Sequence, residues 1–116
     1  MTHLKSCDTP EDYISAIARN FPHPDQLHTS YIDISFLDVG RRGDHRYEFS
    51  ASFYAVGKLF VCYKAYQSTG EETLTSDEQM ESVDRYVGSL EKAFHKRYGE
   101  LSFVFDPHSH RINFNQ

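Results

Sequence analysis

"YIDISFLDVGRRGDHRYEFSASFYAVGKLFVCYKAY", from Tyr31 to Tyr66, holds three runs of strand-like polarity separated by two turn signals. In the first run Ile32, Ile34 and Phe36 alternate with Tyr31, Asp33, Ser35 and Leu37, the period of a half-buried strand. "GRRGDHR" (Gly40 to Arg46) supplies turn chemistry and a polar hairpin tip. The second run puts Tyr47, Phe49, Ala51, Phe53 and Ala55 on one face and Arg46, Glu48, Ser50 and Ser52 on the other. Gly57 and Lys58 permit a tight reversal into "LFVCYKAY" (Leu59 to Tyr66). That third run is apolar on both faces, as expected of a strand partly covered on each side. Three successive strands with short turns predict an antiparallel meander.

On the N-terminal side, Thr9 followed by Pro10, Glu11 and Asp12 marks a helix start. Thr caps, Pro fits the first helical position, and the acids suit the positive end of the dipole. Ile14, Ile17, Ala18 and Phe21 share one face, and Asn20, Pro22 and Pro24 end the helix. On the C-terminal side, "QSTGEETLT" (Gln67 to Thr75) reads as a loop, and Ser76 with Gln79 fits a capping box. Met80, Val83, Val87, Leu90 and Phe94 then recur at spacings of three and four, Tyr98 extends the seam, and Gly99 suits a left-handed C-cap. Leu101, Phe103 and Phe105 alternate as a strand, "DPHSH" (Asp106 to His110) turns, and Ile112 with Phe114 completes a hairpin. The expected fold is α+β: a single antiparallel sheet of about five strands with two helices on one face, in the order α-β-β-β-α-β-β. Residues 1–116 are expected to form one domain, with 1–8 as a loose N-terminus.

A chain of 116 residues can bury a core without disulfide or metal staples. No stretch approaches the ~18–20 apolar residues that span a bilayer, and "MTHLKSCDTPEDY" lacks the succession of a signal peptide. Cys7 and Cys62 match no metal or redox spacing, so a reducing, cytoplasmic setting is expected. A net charge of −5 argues against nucleic acid, whose phosphates need cations.

That charge is gathered at one place. "GEETLTSDEQMESVD" (Gly70 to Asp84) holds Glu71, Glu72, Asp77, Glu78, Glu81 and Asp84 without one Lys or Arg, which leaves the rest of the chain close to neutral. One reading is a solvated helix start: acids early, Lys92, His95, Lys96 and Arg97 late, and Glu81 within reach of Arg85. Glu71 and Glu72 precede the helix, where the dipole argument is weaker. At 100° per residue Asp77, Glu81 and Asp84 form a stripe roughly 80–120° from the apolar seam. The second reading is therefore a negative docking surface for a basic partner.

Other motifs carry less. His108 and His110 beside Asp106 suggest metal ligands, yet Pro107 and Ser109 make the segment a turn with polar residues. The "RGD" at Arg42 to Asp44 sits in a turn, where Gly43 and Asp44 are ordinary turn formers, and Arg41, Arg42 and Arg46 offer cationic contacts. Tyr54, Phe60 and Tyr66 are placed on the sheet face away from the helices, as cross-strand pairs or as an open apolar patch. No phosphate loop, dinucleotide fingerprint, nucleophile elbow or zincin motif occurs. No catalytic residue, metal or cofactor is therefore assigned, and the enzyme expectation is lowered without being removed.

In its succession of "TPEDYISAI", three strands, "SDEQMESVDRYVGSLEKAF" and a hairpin, together with its acidic stretch, the chain resembles the acidic single-domain immunity proteins of bacterial toxin systems. The resemblance implies non-catalytic occlusion of a toxin domain, often a basic nuclease, with Glu71, Glu72, Asp77, Glu78, Glu81 and Asp84 as the partner-binding residues. Neither nucleic acid nor membrane is expected as a partner. Type III secretion chaperones have a similar element order but carry a further C-terminal helix and work as dimers, so they rank second. The rival from another class is a small enzyme or ligand-binding domain with a pocket between the sheet and the long helix.

Overall fold

The computed structural model describes residues 5–115. Lys5–Cys7 forms strand β1 and Pro10–Asn20 helix α1; Tyr31–Asp38, His45–Ala55 and Lys58–Gly70 are strands β2, β3 and β4. Ser76–Tyr98 is helix α2, followed by Val104–Asp106 (β5) and Arg111–Asn113 (β6). They build one mixed six-stranded sheet in the order β1-β4-β3-β2-β6-β5. The α+β class and the two helices agree with the sequence reading. The sheet agrees in part: five strands pair antiparallel as expected, but a sixth is added in parallel, so the sheet is mixed. This strand comes from the terminus expected to be loose, and it sets Cys7 opposite Tyr63 of β4. Three residues carry too little periodicity to announce a strand. The remainder of the loose segment, residues 1–4, lies outside the described residues.

The meander forms as its alternation requires. Ile32, Ile34 and Phe36 of β2 lie opposite Phe53, Ala51 and Phe49 of β3, which lie opposite Val61, Tyr63 and Ala65 of β4. These rows face the helices. Tyr13, Ile14 and Ile17 of α1 and Val83, Tyr86, Val87, Leu90 and Phe94 of α2 close over them, with Ile112 and Phe114, into one core. Both helices lie on the same face, since the rings of Tyr13 and Tyr86 meet Tyr63 at 6.0 and 5.2 Å.

Several boundaries move. β4 runs on to Gly70 because Gln67 and Ser68, polar enough to read as loop, pair with Tyr47 and Arg46. Its end is set by Gly70, at φ +66°. The cap of α2 is Thr75 with Glu78, one residue before the expected pair. Of the Leu101–Phe105 alternation only Val104 and Phe105 enter a strand, which runs on to Asp106; Phe103 instead packs on Phe94 and Phe114. A 3-10 turn at Pro24–Leu27, which the sequence reading passed over, buries Leu27 completely.

The buried arc of α2 is also rotated. Ser82 and Tyr86 are buried with Val83, Val87, Leu90 and Phe94, whereas Met80 is 61% exposed. At 100° per residue the arc is centred roughly 40° away from the all-aliphatic seam. The two polar residues can be buried because both are satisfied. Tyr86 Oη donates to the Tyr63 carbonyl at 2.7 Å, and Ser82 Oγ donates to Gln67 Oε1 at 3.0 Å. Burial pushes the Tyr86 phenol well above its ordinary pKa, so it remains a donor.

Two stability measurements test this packing. Leu90 is fully buried, so Leu90→Ala is expected to cost ~2–5 kcal/mol in chemical denaturation, while the exposed Lys92→Ala stays within ~0.5 kcal/mol. Tyr13 is likewise fully buried, and its hydroxyl has no hydrogen-bond partner among the described residues. Tyr13→Phe removes that unsatisfied group and is expected to raise stability by about 1 kcal/mol. A loss of stability would mean that the hydroxyl is satisfied in solution.

Candidate functional site

The start of α2 is pinned to the sheet from several sides. Leu74 N–H donates to Tyr47 Oη at 3.0 Å, and Gln79 Nε2 donates to the Leu74 carbonyl at 3.1 Å. Thr75 N–H donates to Glu78 Oε1 at 3.0 Å while Glu78 N–H donates to Thr75 Oγ1 at 3.2 Å, the reciprocal capping box. With Ser82 and Tyr86 tied to β4, the rotation of the helix is set and Met80 is turned outward.

Beside it lies a groove of about 460 Å³ between the first turns of α2 and the β5–β6 hairpin. Phe36, Met80, Val83, Phe105 and Pro107 form its apolar wall, and Asp84 and His110 stand among its polar lining. This groove was not legible in the sequence. The one available signal was Met80, an apolar residue whose helical phase lies at the margin of the buried arc.

The six carboxylates expected to act together are all exposed, but the fold separates them. Asp84 lines the groove. Asp77 and Glu81 lie further round the helix toward solvent, as their 100° steps require. Glu78 is committed to the cap, and Thr75's N–H, followed by its hydroxyl, holds the Glu78 carboxyl below its ordinary range. Glu71 and Glu72 sit on the loop after β4. Among the described residues Arg111–Asp33 is an ion pair and His45 is bonded to Asp38, so none of the six has a cationic partner and the Glu81–Arg85 pair is not formed.

The remaining candidates resolve locally. Asp106 accepts the His108 N–H at 2.9 Å, and this bond, followed by one with Ser109, lowers its pKa; the carboxylate closes the turn. No grouping of three or more His, Cys, Asp or Glu suited to a metal occurs among the described residues. Arg42–Asp44 lies in the tip, bridged from Arg41 to Asp44, and Asp38 organises that tip by accepting from Gly40 N–H and pairing with His45. On the helix-free sheet face Tyr31 stacks on Tyr54 at 5.1 Å beneath the Arg111 guanidinium, and Tyr66 donates to Glu48 beneath Arg46. Phe60 does not belong to that face: it packs on Phe21 and Phe53 at the helix side.

The middle of the space between sheet and long helix is filled by Phe49, Tyr63, Tyr86, Leu90 and Phe94, so the opening between them that the enzyme reading asks for is confined to the groove at the start of α2. A larger cavity, about 720 Å³, lies elsewhere and collects Asp25, His28, Glu100 and Ser102, with no hydrogen bond between them among the described residues. No helix among the described residues is long and apolar enough to cross a membrane.

The cap has a pH signature. The folded midpoint of Glu78 lies below the ordinary 4.5, so its contribution is complete above that value and is lost as pH falls through the folded midpoint. An NMR titration of the Thr75 amide should show this low midpoint, and Glu78→Gln should abolish the titration while keeping the helix start. A midpoint at or above 4.5 would contradict the box in solution. Comparison with family models, with curated proteins and with solved structures finds no match for this chain.

Proposed function

We propose that this chain is a non-enzymatic protein-binding domain that docks a basic partner at the start of α2, as an immunity protein docks a toxin domain. One observation carries the reading: carboxylates without cationic partners stand beside an exposed Met80 in an apolar groove. Uncompensated carboxylates cost little in water and attract a cationic surface over about a Debye length. An exposed apolar side chain in a groove gives that surface something to bury after encounter. The two contributions separate in kinetics. Asp77, Glu81 and Asp84, with Glu71 and Glu72 in the wider field, set the rate and selectivity of association. Met80 and the walls formed by Phe36 and Phe105 set the lifetime of the complex. A basic nuclease-type toxin has the complementary surface, and the neighbouring reading frame or a pull-down supplies the partner to test.

Replacing Asp77, Glu81 and Asp84 by their amides is expected to slow association ~10-fold at low salt, with a smaller effect at high salt. Met80→Ser is expected to speed dissociation with little change in association. Glu78 is left intact in both, because it caps the helix. Stopped-flow binding to the isolated partner reads both rates. An association rate that ignores the amides across the salt series would sink the docking surface.

A further inference from the structure

We propose that the free edge of β4 beyond β1 pairs antiparallel with the same edge of a second copy of this chain. Among the described residues β1 covers β4 at Val61, Cys62 and Tyr63 and does not reach beyond Tyr63. From Lys64 onward β4 is hydrogen-bonded to β3 on one side, and no described strand lies on the other. In an antiparallel ladder alternate residues turn their N–H and C=O groups away from the partner, so this stretch presents unpaired backbone groups in a row. Lys64 to Ser68 forms the regular part, and the irregularity between His45 and Arg46 closes it before Gly70. The other ends of the sheet are guarded differently: β5 has three residues and is followed at once by Pro107. Lys64 to Ser68 contains neither Pro nor an acid.

Charge identifies the occupant. Antiparallel self-pairing centred near Tyr66 and Gln67 brings Lys64 of each copy toward the end of the other copy's β4, where Glu71 and Glu72 follow Gly70. None of these three side chains has an ion-pair partner among the described residues. The central residues placed opposite one another are Tyr66, Gln67 and Ser68, so no like charges meet. A two-fold axis repeats the Lys64 contact on both sides, as an isologous interface requires. It also gives a partner to Glu71 and Glu72, the two acids of the stretch that lie on the loop after β4 rather than on α2. The groove lies toward β5, at the opposite end of the strand order, and stays accessible in the dimer.

Sedimentation equilibrium over a concentration series tests the pairing, with amide hydrogen exchange of residues 64–70 as the local readout. The intact chain is expected to dimerise reversibly, with these amides more protected at high concentration. Lys64→Glu alone, or Glu71→Lys with Glu72→Lys, is expected to weaken the dimer by ~10-fold or more, and the three changes together to restore it. Restoration separates an interface from a folding defect, since the loop pair lies outside every strand. A monomer at all concentrations overturns the proposal. So does a dimer indifferent to the single charge reversals, or protection of 64–70 that appears only when a different protein is added.

Discussion

Tyr63 is where this fold is joined. Its backbone lies between β3 and β1, opposite Ala51 on one side and Cys7 on the other. Its ring faces the helices and meets Tyr13 of α1 and Tyr86 of α2, and its carbonyl accepts the Tyr86 hydroxyl. Sheet edge, first helix and second helix therefore share one residue. The Tyr86 bond matters beyond its own energy because it fixes which side of α2 is buried. Ser82 repeats the constraint one turn earlier through Gln67. Further along the helix Phe94 serves the opposite end of the layer, touching Tyr13, Phe103 and Phe114. Between these two aromatic centres there is little freedom for the helix to slide or turn.

The candidate groove is a by-product of that constraint. An aliphatic seam running through Met80 would have turned Met80 inward and carried the carboxylate stripe with it. The polar contacts of Ser82 and Tyr86 instead turn Met80 outward, close to Asp84 and the β5–β6 hairpin. The acidic stretch thus divides by role. Glu78 belongs to the helix, Asp77, Glu81 and Asp84 to the surface around the groove, and Glu71 and Glu72 to the end of β4. A single block of charge in the sequence becomes three local environments in the fold.

How much of this was legible follows from periodicity. β2 and β3 alternate cleanly, the start of β4 is an apolar β-branched and aromatic run, and α1 and α2 carry caps and apolar spacing, so the α+β class and the order of the elements after β1 could be read directly. Three features could not. β1 is too short to alternate, and its pairing is decided by a neighbour more than fifty residues away. Gln67 and Ser68 look like loop because their strand state comes from Tyr47 and Arg46 across the ladder. The phase of α2 depends on polar side chains whose partners lie on β4, and hydrophobicity alone does not count them. The acidic residues were recognisable as a group, but the groove needed Phe36, Phe105 and Pro107, which only the tertiary arrangement brings to Met80.

The parallel strand β1 also bears on the order of assembly. Its residues come first in the chain but have no partner until Val61 to Tyr63 have been laid down and paired with β3. Closing so large a loop for three rungs is entropically unfavourable, whereas the β2–β3–β4 meander closes through short turns. The meander is the natural nucleus, and β1 is added to a sheet that already exists. A segment added last and held by few rungs is also among the first to open locally. Each such opening would lengthen the bare edge of β4 from Lys64 back to Val61, so the length of edge open to another strand is set by how firmly the first strand holds.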